Sequence, residues 1–229
     1  MNQIFEEVKA LCVAAQHAAP ALALTDSDTR NRVLVEMEQA LLADTAKILV
    51  ANSRDLANAA ANGVPAVMMD RLRLTEERIK GMANAIRALT LLPDPLGKEE
   101  TITRPSGITV VRTRVPLGVV AIIYEARPNV TADAAALCIK SGNTVILRGG
   151  KEAIESNRAI VAALRGALER MGLDPNAIGL VGSTDRESAN ALMQMRGYVD
   201  VLIPRGGKGL IRNCVENAKV PVIETGAAS

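Results

Sequence analysis

Apolar residues recur at helical spacing through the first third of the chain and change to strand-like runs later. Over residues 1–92 they fall at every third or fourth position, which predicts an almost wholly helical region. Ser27 and Thr75 are predicted N-caps of two of these helices, and Gly63 is predicted to end another. Two prolines, Pro93 and Pro95, are expected to close the helical region.

The next segment, residues 101–115, is rich in β-branched residues and contains a Pro-Ser-Gly turn. This pattern predicts a two-stranded ribbon with one fairly polar face. An isolated ribbon is marginal in water, so we expect it to lie against something else, such as another subunit.

From Pro116 onward, short apolar runs alternate with stretches of helical spacing. The runs are 119–123, 144–147, 178–181, 199–203 and 220–223, and the helices are expected near 129–141, 156–171, from about Asp185, and near 208–218. Alternation of this kind predicts an α/β fold with a doubly wound, mainly parallel sheet. Ligands of such sheets bind beyond the carboxyl ends of the strands.

The tetrad Arg-Gly-Gly-Lys occurs twice, at 148–151 and 205–208, each time directly after a predicted strand. Glycines let the backbone approach a phosphate, and the free N–H groups of a following helix point toward it. The paired Arg and Lys add positive charge. Glycines at strand ends also serve simply as turns, and that alternative stays open.

Composition narrows the function further. The 229 residues carry a formal charge of +2 and only 1% aromatic residues, which argues against nucleic-acid binding. Three widely spaced cysteines and one histidine favour neither a metal site nor a disulfide framework, and they fit a reducing cytoplasm. Apolar runs are too short for a membrane span, and the N-terminus does not resemble an export signal.

Three segments closely resemble the γ-glutamyl phosphate reductases, a branch of the aldehyde dehydrogenase superfamily. They are residues 115–131, with Tyr-Glu-Ala-Arg-Pro-Asn-Val-Thr at 124–131, and residues 141–152 and 202–210. Residues 51–56 and 70–72 are similar too, though less specifically. The resemblance covers essentially the whole chain.

The resemblance implies NADPH-dependent reduction of γ-glutamyl phosphate to glutamate 5-semialdehyde, with release of phosphate, in proline biosynthesis. It implies three regions: N-terminal helices (1–100), a β-ribbon oligomerisation arm (101–115) and a Rossmann-like NADP-binding domain (116–229). The family mechanism uses a cysteine thiolate and a hydrogen-bond donor for the carbonyl oxygen. Asn129 is the candidate donor, and Arg127 is the candidate for binding the substrate's phosphate or carboxylate. Asn129 has an alternative as the N-cap of the following helix.

The resemblance also assigns cofactor residues. Arg148 and Lys151, with Gly149 and Gly150, would meet the adenosine ribose and suit the extra phosphate of NADP(H). The second tetrad, Arg205, Gly206, Gly207 and Lys208, matches the pyrophosphate-binding turn. Glu224 is a weak candidate, because a phosphate-releasing reductase does not need a water-activating base. Arg148 and Lys151 could instead be solvated charges.

In this family the nucleophilic cysteine and the catalytic domain follow the point where this sequence stops, at Ser229. None of Cys12, Cys138 and Cys214 is a convincing substitute. We therefore expect the 229 residues to bind NADP(H) without reducing substrate alone. A stand-alone nucleotide-binding module is the alternative. Expected partners are small-molecule substrate, glutamate 5-kinase and further copies of the chain.

Overall fold

The computed structural model describes residues 3–224, and its first part is helical as predicted. The helices are α1 (Gln3–Ala23), α2 (Ser27–Ala43), α3 (Thr45–Ala61), α4 (Ala66–Leu72) and α5 (Glu76–Leu89). Helices α2, α3 and α5 pack against the helices of the second part, with which they share a hydrophobic core. The helical region is therefore held to the sheet by apolar burial, the main favourable term in folding.

The predicted helix boundaries are correct in two cases and wrong in one. Thr75 caps α5, since its hydroxyl accepts a hydrogen bond from the Arg78 N–H at 3.1 Å. Gly63 follows α3 with a φ of 67°, a left-handed conformation that favours glycine. Ser27, however, is the first helical residue of α2, and the N-cap is Asp26. A carboxylate at this position also interacts favourably with the helix dipole.

A four-stranded parallel sheet forms the second part, in the order β5-β4-β3-β6, which confirms the predicted fold class. Its strands are β3 (Val119–Tyr124), β4 (Thr144–Arg148), β5 (Ile178–Leu180) and β6 (Val201–Arg205). The helices around it are α6 (Pro128–Lys140), α7 (Ile154–Arg170), α8 (Arg186–Met193) and α9 (Lys208–Asn217), with 3₁₀ turns at Lys151–Ala153 and Pro175–Ala177.

The sheet is covered on both faces. Val120, Ile122 and Tyr124 of β3 belong to the core shared with α2, α5, α6 and α7. The alternate residues of β3 face the opposite way and join a second core with α1, α8 and α9. Because neighbouring strand residues point to opposite faces, a strand buried on both sides reads as a continuous apolar run.

The last predicted strand, at 220–223, is reduced to a single bridge between Val222 and Leu202 of β6. Leu202 donates to the Pro221 carbonyl at 2.8 Å and accepts from the Ile223 N–H at 2.9 Å. Pro221 has no N–H to extend the ladder. Residues 225–229, at the end of the predicted cofactor domain, lie outside the described residues.

The predicted ribbon consists of β1 (Glu99–Thr103) and β2 (Thr109–Thr113), paired antiparallel. Gly107 forms the turn with a φ of 85°. Every residue of both strands is exposed, so the ribbon does not lie against the described part of its own chain. None of the helices within residues 3–224 is long and apolar enough to cross a membrane.

Candidate functional site

Three turns meet at the carboxyl edge of the sheet. Residues 125–127 follow β3, the first tetrad follows β4, and the second tetrad ends β6 and begins α9. The two tetrads are not on adjacent strands, because β3 pairs with both β4 and β6. The chain winds from β3 toward β5 and then returns to β6 on the other side. The crevice between β3 and β6 is therefore the switch point, where doubly wound sheets bind ligands.

In the first tetrad, the two glycines are required by close packing. A Cβ on Gly149 would lie 2.3 Å from Asn157 Nδ2 and 3.0 Å from the Tyr124 ring. A Cβ on Gly150 would lie 2.8 Å from the Ala126 backbone nitrogen. This supports the turn interpretation for these two glycines.

A buried hydrogen-bond network lies beneath this turn. The Tyr124 hydroxyl and Thr131 Oγ1 are 2.7 Å apart, and Thr131 Oγ1 donates to Asn157 Oδ1 at 2.7 Å. Burial raises the pKa of Tyr124 well above its ordinary value, so the phenol stays neutral. The network joins the end of β3 and helix α6 to helix α7, next to Gly149.

Helix α7, which follows the first tetrad, has its N-terminus occupied by a carboxylate from α3. Asp55 is only 2% exposed and accepts from the Ser156 N–H at 2.7 Å, the Ser156 hydroxyl at 2.6 Å and the Glu155 N–H at 3.1 Å. Burial raises the pKa of Asp55, against the opposing effect of these hydrogen bonds. The N–H groups that Asp55 binds are therefore not available to a phosphate.

Asn52, one turn before Asp55 on α3, also connects α3 to the start of α7 and to the end of α4. Its amide donates to the Leu72 carbonyl at 2.9 Å and to Ser156 Oγ at 3.0 Å, and its oxygen accepts from the Leu74 N–H at 2.8 Å. This role of Asn52 and Asp55 was not predicted from the sequence. A signal existed, because Asn52 and Asp55 lie on the buried face of α3 with Ile48 and Ala59, where polar residues need partners.

The second tetrad differs, because the carboxylate at its helix is exposed. Glu125 Oε1 accepts from the Gly207 N–H at 2.8 Å, at the N-cap of α9. A Cβ on Gly206 would lie 2.8 Å from the Glu125 carboxyl group, so glycine permits this approach. The Gly207 N–H at the start of α9 thus binds a carboxylate oxygen that is exposed rather than buried.

Arg148 is bound to the β5–α8 segment rather than pointing freely into solvent. Its guanidinium donates to the carbonyls of Thr184 at 3.3 Å and Asp185 at 3.1 Å. Burial lowers its pKa from the ordinary value, without removing its charge. Lys151 is exposed at the first residue of the 3₁₀ turn.

The remaining cofactor candidates lie at the same edge. Arg205, Lys208 and Glu224 are all exposed. Arg205 is the last residue of β6, paired with Tyr124, because β6 runs to 205 rather than ending near 203. Glu224 is two residues beyond the bridge between Val222 and Leu202.

The substrate candidates lie at the start of α6. Arg127 is the N-cap position and Pro128 the first helical residue, so the N-cap interpretation of Asn129 is wrong. Asn129 is exposed, and its Nδ2 is 3.4 Å from Asp133 Oδ2. Arg127 and Asn129 both line a cleft of about 490 Å³.

All three cysteines are buried and apart from this edge. Burial raises the pKa of Cys12 and of Cys138 to about 12 and also raises that of Cys214. Such thiols are unreactive near neutral pH. Within residues 3–224, no group of three His, Cys, Asp or Glu side chains could hold a metal ion.

Comparison with known proteins identifies close relatives. The γ-glutamyl phosphate reductase of Caldanaerobacter subterraneus subsp. tengcongensis is 47% identical over 224 residues, which cover 97% of this chain and 54% of the relative. The corresponding protein of Desulfitobacterium hafniense is 52% identical over 212 residues, covering 93% and 51%. The chain thus spans about half the length of the curated relatives it matches.

Solved structures of members of the same family resemble this chain in fold. The γ-glutamyl phosphate reductase of Thermotoga maritima superposes with a TM-score of 0.93 at 37% identity, over 96% of this chain and 53% of that one. An NAD-dependent aldehyde dehydrogenase of Sinorhizobium meliloti, at 18% identity and a TM-score of 0.74 over 95% of this chain and 41% of that one, shares the fold.

The family model described as aldehyde dehydrogenase family matches residues 4–228, nearly all of the chain. Together with the sheet order and the relatives, this match shows that the chain belongs to the aldehyde dehydrogenase family, which implies a nicotinamide cofactor.

Proposed function

We propose that these residues form the NADP(H)-binding part of an enzyme that reduces γ-glutamyl phosphate to glutamate 5-semialdehyde with release of phosphate. The observation that carries the proposal is the start of α9 at the switch point, where the Gly207 N–H already binds a carboxylate oxygen at 2.8 Å. The proposed reaction is taken from the name of the relatives, γ-glutamyl phosphate reductase.

The residues fit a dinucleotide phosphate at α9 and not at α7. Both helices follow an Arg-Gly-Gly-Lys tetrad, but the buried Asp55 holds the first N–H groups of α7. At α9, Glu125 is exposed, so a phosphate can replace its carboxylate. Gly206, Gly207 and Lys208 would hold the pyrophosphate there, with charge from Arg205.

The preference for NADP over NAD rests on the β4 turn. Arg148 and Lys151 put two positive charges there, and Gly149 and Gly150 keep the turn narrow. A 2′-phosphate on the adenosine ribose would interact favourably with those charges. In the full reaction, bound NADPH supplies the hydride.

Asn129 and Arg127 serve the substrate in this proposal. The Asn129 amide is exposed, and its contact with Asp133 is long, at 3.4 Å, so it can turn to donate to a carbonyl oxygen on which negative charge develops. Arg127 at the same helix start would bind the departing phosphate or a substrate carboxylate. Glu224 has no assigned role. Association with glutamate 5-kinase, which would supply the reactive acyl phosphate, belongs to the same proposal.

Cofactor preference can be measured by titrating the chain with NADPH and NADH, following nucleotide fluorescence. We expect NADPH to bind more tightly. Lys151→Glu should weaken NADPH binding about tenfold or more and leave NADH binding nearly unchanged, because only NADPH carries the 2′-phosphate. Lys98→Glu is the matched control, an exposed lysine beside the ribbon. Equal loss for both nucleotides in Lys151→Glu would contradict the assignment.

Turnover by these 229 residues alone should be absent, because their three thiols are buried. The assay is phosphate-dependent reduction of NADP with glutamate 5-semialdehyde. Adding the C-terminal half of a full-length relative should restore activity if the chain is part of a reductase. Nucleotide binding without any restoration would favour a non-catalytic nucleotide-binding module. Robust turnover by the chain alone would overturn the assignment of the cysteines.

A further inference from the structure

The cleft beside Asn129 has an unusually charged lining. It lies between the end of α4, the middle of α5 and the start of α6, with a volume of about 490 Å³. Four arginines and two aspartates contribute to it: Arg71, Arg73, Arg78, Arg127, Asp70 and Asp133. Charged groups converging on one concave site favour a small, highly charged ligand.

Two of these charged side chains, Arg78 and Asp70, form an ion pair with each other. Arg78 Nη2 is 2.9 Å from Asp70 Oδ1, and Arg78 Nη1 donates to the Arg73 carbonyl at 2.7 Å. This pair fixes the end of α4 against α5 and neutralises itself. The charges left over are the guanidinium groups of Arg71, Arg73 and Arg127, together with the carboxylate of Asp133.

Asp133 has no strong partner. It is half-buried, and within residues 3–224 its one hydrogen bond is the 3.4 Å contact with Asn129. Burial raises its pKa, while Asn129 and the more distant charge of Arg205 act in the opposite direction. A carboxylate partly withdrawn from water is stabilised by a cation in contact with it. The wall of the cleft therefore offers a place for a ligand's positive charge.

We propose that this cleft binds the α-amino acid end of the substrate, with Asp133 accepting the α-ammonium group and Arg71 and Arg73 binding the α-carboxylate. This inference rests on the proposed function, which makes the ligand a glutamyl compound. It adds residues that determine specificity, distinct from Asn129 and Arg127 at the reacting end.

The spacing along α6 suits such a ligand. Asn129 and Asp133 are four residues apart and lie on one face of the helix, about 6 Å apart along the axis. In a glutamyl group, four bonds separate the ammonium nitrogen from the reacting carbonyl carbon, a comparable length. An ammonium group at Asp133 would thus bring the carbonyl toward Asn129.

The net charge of the cleft is also complementary to that of the substrate. The substrate carries one ammonium group, one carboxylate and one acyl phosphate, so its anionic charge exceeds its cationic charge. The free charges of the cleft have the opposite balance, three guanidinium groups against one carboxylate. Electrostatic complementarity of this kind selects a ligand against others of similar shape.

Two ligands that differ only in the ammonium group test the role of Asp133. L-glutamate γ-methyl ester carries the ammonium group, and glutaric acid monomethyl ester lacks it. We expect Asp133→Asn to weaken binding of the amino ligand about tenfold and to leave the other ligand within about twofold. Arg73→Gln should weaken both ligands, because both keep the carboxylate. Asp28→Asn, an exposed change on α2, is the control and should affect neither.

Titrations followed by NMR on the 229-residue chain give these affinities, and NADPH binding is measured on the same samples. If Asp133→Asn affects both ligands equally, or neither, the inference is wrong. Should that variant not fold, Asp133→Glu keeps the charge and must keep the preference for the amino ligand. Binding of NADPH without binding of the amino ligand overturns this inference alone. Absence of NADPH binding counts against the proposed function instead.

Discussion

At the scale of single residues, two carboxylates decide which helix start is open to a ligand. Asp55 on α7 is buried and accepts three hydrogen bonds, whereas Glu125 on α9 is exposed and accepts one from Gly207. Removing a buried, multiply bonded carboxylate costs far more than turning an exposed one into water. We therefore propose that a cofactor phosphate can replace the carboxylate of Glu125 at the start of α9.

Glu125→Gln should bind NADPH about fivefold more tightly than the unchanged chain. The variant can still accept from the Gly207 N–H, but it removes a negative charge that would lie within several ångströms of the pyrophosphate, worth about 1 kcal/mol near a protein surface. Nucleotide fluorescence titration measures the effect. Glu169→Gln, on the exposed side of α7, should leave the affinity unchanged. Weaker binding by Glu125→Gln would mean that Glu125 instead contacts the cofactor favourably.

At the scale of elements, α3 and α7 are joined by hydrogen bonds between residues about a hundred positions apart in the sequence. Asn52 binds the segment after α4 and also Ser156 at the start of α7. Asp55 caps α7 from outside, in place of a local N-cap side chain, which α7 lacks. The start of α7 is thus bound directly to the N-terminal helices.

Asp55→Ala should lower the free energy of unfolding by about 2–3 kcal/mol, because it leaves buried donors at the start of α7 without an acceptor. For a chain of this size that corresponds to a melting temperature lower by roughly 5–10 °C. Thermal unfolding followed by circular dichroism gives the value. The adjacent Arg54→Ala, exposed on the same helix, should change stability by about 0.5 kcal/mol or less. Similar melting temperatures for the two variants would refute the capping role.

At the scale of the whole molecule, both strands of the ribbon are exposed to solvent along their full length. Ile102 and Val110 form a cross-strand pair, and they remain 39% and 41% exposed. Within the described residues, β1 and β2 pair only with each other. Open strand edges with apolar side chains favour pairing with another chain. We therefore propose that the chain forms homo-oligomers through this ribbon.

Sedimentation should show self-association that increases with protein concentration. Replacing both Ile102 and Val110 with lysine should shift the chain toward monomer, because charges on the ribbon oppose edge pairing. Leu24→Lys changes an apolar residue that is 88% exposed elsewhere and should leave association unchanged. A clean monomer of the unchanged chain at high concentration would contradict the proposal.

The elements themselves were largely predictable because their signals are local. The Pro-Ser-Gly turn of the ribbon, the cap at Thr75 and the alternation after Pro116 all follow from residues close in sequence. The Ser27 prediction failed for an equally local reason, since Asp26 offers a competing cap one residue earlier. The last strand failed because Pro221 cannot extend the ladder, although the apolar run looked complete.

The doubly wound sheet and the place of both Arg-Gly-Gly-Lys tetrads at its carboxyl edge follow from the sequence pattern, because strands that alternate with helices run parallel and the turns after them lie at that edge. Three facts could be read only from the tertiary structure: β3 separates the tetrads, a buried Asp55 binds the start of α7 while an exposed Glu125 binds the start of α9, and Asp133 lines a cleft with four arginines. Those facts depend on contacts between residues far apart in sequence, which local spacing and propensity do not encode.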